Sequence, residues 1–309
     1  MGSLDDAGER ESAVALVETF FELDHIDTNI YRAPTHTVTG GFGFPRVFGG
    51  LVVSQSLVAA SKTVPEGYIF HSLHCYFVRP GDTTKHILYI VDRARDGRSF
   101  CTRYVKAVQD GQQIFTCELS FHKENPQAYR YRPPFPPVPP PEALKSTSEI
   151  LVNMLKDPGI DESKRLQLER RLDFQPKAME IRPVDPDLYL FFKKITNGPR
   201  AQFWVRANGR LGNDLLVHHS AAAFVSDYAM LTTCFLQMDK DGQKEGAVAS
   251  LDHSIWIHEF RFRMDDWMLY DVECQAMGDD RGLVFGKLWT RDGHLAISTA
   301  QEGLVRQKL

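Results

Sequence analysis

Cysteine is scarce in this chain and poorly placed for chemistry. Five residues, Cys75, Cys101, Cys117, Cys234 and Cys274, are scattered and form no C-x-x-C pair. The odd count and wide spacing speak against a disulfide framework, a zinc site or a redox motif, so reduced thiols in an intracellular protein are expected. Long hydrophobic runs are missing too. No stretch approaches the ~20 apolar residues of a membrane-spanning helix, so no membrane insertion is expected. Basic charge is not in excess: 36 Lys and Arg stand against 40 Asp and Glu, a formal net charge of -4. Without a global positive field, nucleic acid and anionic membrane surfaces are disfavoured as main partners, while a local basic patch leaves an acidic small molecule open. The opening MGSLDDAGERES has no signal-peptide core and no Arg-rich presequence character, and Asp6 breaks the myristoylation pattern. A G-x-S-x-G elbow is also lacking, which removes the usual setting of a nucleophilic serine.

What the chain does have is a globular composition, 43% hydrophobic and 25% charged, over 309 residues. That length exceeds what one core usually serves, so two units are expected. An internal repeat supplies them. DGQQIFTCELSF at 110–121 and DGHLAISTAQEG at 292–303 align on Asp110-Gly111 and Asp292-Gly293, each pair a turn entering a strand. Upstream, HILYIVD and SFCTRYVKAV in the first half correspond to WMLYDVE and GLVFGKLWT in the second, and HSLHCYF at 71–77 to ASLDHSIWI at 249–257. Each half also has one apolar segment of helical character. The first, GGLVVSQSLVAASKTV, starts at Gly49 and ends near Pro65; the second, LLVHHSAAAFVSDYAMLTTCFL, starts at Leu215. A helix that is apolar nearly all round must be covered, so the expected class is α+β, with each helix wrapped by a curved antiparallel sheet.

Between the halves, residues 130–142 read RYRPPFPPVPPPE, and seven prolines there force extended backbone. A linker is the stronger reading and a proline motif for a partner the weaker one. STSEILVNMLKDPG and DESKRLQLERRLDF follow as connecting helices with Ser and Asp caps. The expected organisation is an N-terminal unit over 1–128, a linker with connecting helices over 129–195, and a C-terminal unit over 196–309.

Strand alternation isolates three polar residues. Phe115, Cys117, Leu119 and Phe121 share one face, and the gap-free alignment sets Ile297, Thr299 and Gln301 opposite the first three. Gln301 therefore points where the first copy buries a leucine, which costs about 1–3 kcal/mol unless its amide finds partners. Asp227 stands at helical spacing from Ala223, Phe224, Met230 and Leu231. That spacing puts a carboxylate on the apolar stripe of the second helix, where desolvation raises its pKa unless donors hold it ionised. Ser250, in VASLDHSIW, opens the first strand after that helix. Taken singly, each fits a structural role: a core amide, a helix-internal ion-pair partner, a strand-start serine. Helix, first strand and last strand of one unit can nonetheless converge on one point.

The chain resembles the acyl-CoA thioesterase II family, bacterial and peroxisomal, with its double hotdog fold. The resemblance runs from Phe44 to Arg306. It is carried by RVFGGLVVSQSLVAA at 46–60, HSLHCYFVRPGD at 71–82, RDGRSFCTRYVKAVQDGQQIF at 95–115, FWVRANGRLGNDLLVH at 203–218, ASLDHSIWIH at 249–258 and STAQEGLVR at 298–306. It implies hydrolysis of an acyl-CoA to a free fatty acid and coenzyme A, with no cofactor. The catalytic set it implies falls on Asp227, Ser250 and Gln301, the residues that strand and helix spacing had isolated, with His71 as a supporting residue. Gly49 and Gly50, at a helix N-terminus, are candidates for binding the developing oxyanion, and Arg79 for contacting the substrate. A hydratase or acyltransferase and a non-catalytic acyl-CoA-binding protein remain as alternatives, because a fold does not fix a reaction. The family implies a role in fatty-acid metabolism and self-association into a homo-oligomer. The terminal Gln307-Lys308-Leu309 departs at its first residue from the Ser-Lys-Leu type of peroxisomal address. Import through a receptor is expected, with a cytoplasmic location as the alternative.

Overall fold

The computed structural model describes residues 19–39, 46–125, 129, 131–173, 175, 178–190, 198–238 and 246–307. The first half contains β1 (Asp24–Asp27), β2 (Ile30–Ala33), α1 (Gly49–Ser61), β3 (Tyr68–Phe77), β4 (Ile87–Asp96), β5 (Phe100–Gln109) and β6 (Gln112–Lys123). Two connecting helices follow, α2 (Thr147–Leu155) and α3 (Glu162–Asp173). The second half contains β7 (Met179–Pro183), the single turn α4 (Pro186–Tyr189), β8 (Arg200–Ala207), α5 (Leu215–Ser226) and α6 (Thr232–Met238). It closes with β9 (Gly246–Ser250), β10 (Asp252–Ile257), β11 (Met268–Gly278), β12 (Arg281–Thr290) and β13 (Leu295–Gln307).

The strands form one antiparallel sheet in the order β1-β2-β4-β5-β6-β3-β10-β13-β12-β11-β8-β7, with β9 beside β13. Six strands belong to the half that holds α1 and seven, counting β9, to the half that holds α5, the double hotdog arrangement. The seam lies between β3 and β10, the two strands that the repeat matches to each other. Its register is self-complementary: Asp252 pairs with Tyr76 and Ser254 with His74, while Ile255 pairs with Leu73 and the Phe77 N–H bonds Leu251 O at 2.9 Å. The two units are thus related by a local two-fold axis through Cys75 and His253, in the manner of an isologous dimer.

Both central helices are sheathed by apolar neighbours, as their composition requires. Gly50–Ala60 of α1 and His218–Ser226 of α5 are buried without interruption, and the two helices pack against each other. Their contact is close at one end, where a Cβ on Gly50 would lie 2.4 Å from Phe224 O. That approach brings the N-terminus of α1 to the C-terminus of α5.

The second apolar segment is not one helix. α5 ends at Ser226, Asp227 is its C-cap, and the chain turns through Ala229 in the left-handed region (φ 63°) before α6 begins. An alanine there costs roughly 1–2 kcal/mol, and side-chain hydroxyls offset it by taking the carbonyls that a continuing helix would use. Tyr270 Oη donates to Ser226 O at 2.5 Å, and Thr232 and Thr233 both donate to Ala229 O at 2.9 Å. Asp227 therefore sits at a helix end, not on a mid-helix stripe.

The two turns used to align the copies also differ. Asp110-Gly111 is a two-residue turn with both residues at positive φ, whereas Arg291, Asp292 and Gly293 form a three-residue loop closed by Thr290 N–H to His294 O at 2.8 Å. The extra residue is absorbed before the strands, and both copies bulge at the same place, Ile114 and Ala296. Ile297, Thr299 and Gln301 then fall on the buried face at 1%, 3% and 1% exposure, beside Leu119 at 0%.

α2 carries a capping box in which Ser146 and Glu149 bond each other's backbone, and Asp161 accepts the Lys164 N–H at the start of α3. The proline-rich segment does more than connect. Phe135 and Val138 cover Trp204, Trp267 and Trp289 on the outer face of the second sheet, and Trp204 Nε1 donates to Pro139 O at 2.9 Å. The second sheet also starts earlier than residue 196, because β7 pairs with β8 along its edge. Among the described residues no helix is long and apolar enough to cross a membrane.

Candidate active site

The helix break places a carboxylate where the end of α5 meets the start of α1. Asp227 Oδ2 accepts the Gly50 N–H at 2.9 Å, so a carboxylate of one unit is held by the first turn of the other unit's helix. Gly49 must lack a side chain for the same reason, since a Cβ there would lie 2.7 Å from Asp227 Oδ2 and 2.9 Å from the Phe77 ring.

On the other side stands Gln301, held by β12 through its pairing with Val284. Its Nε2 donates to Asp227 Oδ1 at 2.5 Å and to Ser250 Oγ at 2.8 Å. A carboxylate only accepts, which fixes the amide orientation with nitrogen toward Asp227. The Gln301 Oε1 atom is then buried and has no donor among the described residues. Ser250 is the last residue of β9 and pairs with Gly303; it does not open the following strand, because Leu251 lies outside both strands and separates β9 from β10.

Burial pushes the Asp227 carboxyl up from 3.8 to about 6, against the lowering pull of Gln301, the Gly50 amide and Ser250. The negative end of α5 works in the same direction as burial. Asp227 is nevertheless partly exposed. A group that titrates near neutrality and can still be reached fits a general base.

Three other expected site residues have different surroundings. His71 lies on β3, bonds Ser120 Oγ at 2.8 Å and packs on Phe100 and His122. Burial, followed by the neighbouring His122 and His74, pushes its pKa down to about 4, so the ring is neutral and tied to the first unit. Arg79 is exposed and donates to Gln113 O at 2.9 Å. Gly50 was expected to offer its N–H to an oxyanion; Asp227 already takes it. The geometry therefore brings together Asp227, Gln301, Ser250 and Gly50, and leaves His71 and Arg79 outside that cluster.

One residue that spacing did not single out touches the same end of α5. Ser226 Oγ donates to Ala223 O and lies 2.8 Å from His253 Nε2 on β10. Burial lowers the His253 pKa to about 3, so the ring is a neutral strut beneath the site.

Comparison with known proteins bears on the family and the fold. A family model described as acyl-CoA thioesterase N-terminal domain matches residues 39–122, and one described as acyl-CoA thioesterase C-terminal domain matches residues 156–305. Human acyl-coenzyme A thioesterase 8 is 42% identical over 98% of this chain and 92% of its own length. Peroxisomal acyl-coenzyme A thioester hydrolase 1 of Saccharomyces cerevisiae is 26% identical over 92% of this chain and 94% of its own. Among solved structures, an acyl-CoA thioesterase II from Mycobacterium marinum superposes with a TM-score of 0.73 at 32% identity, covering 94% of this chain and 98% of that one.

Proposed function

The chain belongs to the acyl-CoA thioesterase II family and hydrolyses acyl-CoA thioesters, and we propose that Asp227, Gln301 and Ser250 perform the reaction by activating water. The observation that carries this reading is the Gln301 amide, bonded at once to Asp227 and Ser250 on a face where the first unit buries Leu119.

The reaction follows from the hydrogen-bond inventory. Two acceptors adjoin, the half-buried Asp227 carboxylate and the Gln301 Oε1 that no described residue satisfies. A water that donates one proton to each presents its lone pair to the thioester carbonyl. Asp227 takes a proton as the C–O bond forms and the carbonyl electron pair moves onto oxygen. Collapse of that oxyanion breaks the C–S bond. The coenzyme A thiolate then recovers the proton from Asp227, leaving a fatty acid and a free thiol. Ser250 accepts from Gln301 and supports the carboxylate, so it acts as a scaffold hydroxyl and forms no acyl-enzyme. Water, thioester and these side chains balance the reaction with no further cofactor.

The proposal includes the partition of labour between units: the C-terminal unit supplies the chemistry, and the N-terminal unit supplies the Gly50 donor. Self-association and a place in fatty-acid metabolism belong to it as well. Peroxisomal import through Gln307-Lys308-Leu309 is supported by the yeast relative, which is named as peroxisomal. Lys308 and Leu309 lie outside the described residues, and the Gln307 backbone ends β13.

A thiol-release assay on a series of saturated acyl-CoAs, run beside an enoyl-CoA hydration assay, tests the reaction type. Thiol release without hydration is expected. Hydration of the enoyl-CoA without thiol release would point to a hydratase, and neither activity to a binding protein.

A further inference from the structure

The inner face of β13 carries two polar residues where β6 carries apolar ones, and the water site uses only one of them. Gln301 replaces Leu119; Thr299 replaces Cys117 and does not touch Asp227. Thr299 Oγ1 lies 3.1 Å from Tyr270 Oη instead, and Tyr270 Oη lies 2.5 Å from the Ser226 carbonyl oxygen, one residue before Asp227. All three residues are buried.

The proton count fixes the direction of this chain. A carbonyl only accepts, so Tyr270 gives its one proton to Ser226 O. Thr299 then donates to Tyr270 Oη, since its other neighbour, Met230 Sδ at 3.7 Å, is a weak acceptor. Each bond polarises the next and strengthens it. Gly286 on β12 keeps the space clear: a Cβ there would lie 2.3 Å from Thr299 Oγ1 and 2.8 Å from Tyr270 Oη.

The first unit serves as an internal control. Tyr270 of WMLYDVE matches Tyr89 of HILYIVD, and the two pair alike, Tyr270 with Phe203 and Tyr89 with Tyr31. Tyr89 Oη reaches Gln55 Oε1 at 2.7 Å, in the middle of α1. The same tyrosine therefore holds mid-helix in the unit with Cys117 and Leu119, and the helix end in the unit with Thr299 and Gln301.

We propose that Tyr270, locked by Thr299, is a positioning residue for hydrolysis. Its hydroxyl ties the last carbonyl of α5 to β13 and so sets the separation between Asp227 and Gln301, two residues beyond Thr299 on the same strand face. This rests on the reading of Asp227 as base and Gln301 as water-orienting amide.

Tyr270→Phe tests it, because the ring keeps its packing on Phe203 at 5.5 Å between centroids and only the hydroxyl is lost. Steady-state thiol release from a long-chain acyl-CoA should show kcat about 10-fold below wild type with KM unchanged. The acid limb of the kcat–pH profile should move upward as Gln301 releases Asp227. Thr299→Val should give part of the same loss, Thr299→Ser should restore it, and the Tyr270→Phe/Thr299→Val pair should be no worse than Tyr270→Phe alone. A wild-type kcat, a loss with the acid limb unmoved, or losses that multiply in the pair would each overturn the proposal. If Tyr270→Phe does not fold, the Thr299 variants carry the same test. In an Asp227→Asn background Tyr270→Phe should have no further effect, whereas wild-type turnover by Asp227→Asn itself would show that the base assignment had failed.

Discussion

Gln301 Nε2 lies 2.5 Å from Asp227 Oδ1, joining the last strand of the second unit to the broken end of its helix. That contact gives a half-buried carboxylate a donor and leaves the amide oxygen without a partner among the described residues. The first unit has neither partner.

Replacing Gln301 with the residue of the first unit should separate stability from activity. Gln301→Leu removes the donor on Asp227 and the orphan Oε1 together. Thiol release should fall ~100-fold or more, while the melting temperature stays within that of about 1 kcal/mol of wild type. Activity assays and thermal melts on the same preparation check both.

The Asp227 carboxyl should impose an acid limb. With its folded pKa raised to about 6, kcat/KM is expected to rise with pH and level off above that value. The sign for stability is opposite. Between 3.8 and about 6 the native state holds a proton that the unfolded chain has released, so this group's contribution to stability declines as pH rises through about 6. Asp227→Asn should therefore melt higher than wild type at about pH 8 by on the order of 1–3 kcal/mol, with the gain shrinking toward pH 4.

Gly50→Ala should damage both units at once. Its Cβ would meet Phe224 O at 2.4 Å, which forces α1 away from α5 at a cost of about 1–3 kcal/mol and draws the Gly50 N–H off Asp227. Lower melting temperature with lower kcat is the expected pair of results.

Much of this was legible in the sequence, for reasons specific to each residue. Gln301 showed because the Asp-Gly turns align two copies, so a leucine in one exposed a glutamine in the other. Ser250 was marked by its place before the Asp-His-Ser strand. Asp227 was visible as a carboxylate among apolar neighbours, but its place at a helix end was hidden: the break turns on Ala229 in a left-handed conformation, held by Tyr270, Thr232 and Thr233, and no Gly or Pro announces it. Gly50 was expected to serve an oxyanion because helix N-termini attract anions; the anion it meets is Asp227 itself. β7 was lost inside the connecting segment because it is only five residues long and ends in Pro183, which argues against a strand when read from the sequence alone. Thr299 could have been found by the same alignment that exposed Gln301.

The C-terminal tripeptide makes a prediction independent of the site. A fluorescent protein carrying only RQKL at its end should enter peroxisomes through the import receptor, and a cytosolic signal would count against the address.

The most direct test of Asp227 as the base is thiol release from a long-chain acyl-CoA by Asp227→Asn at about pH 8, with folding checked by circular dichroism. The amide keeps the shape of the side chain and cannot accept a proton from water. Turnover should drop by ~1000-fold or more with the fold intact. Turnover at the wild-type rate would contradict the account.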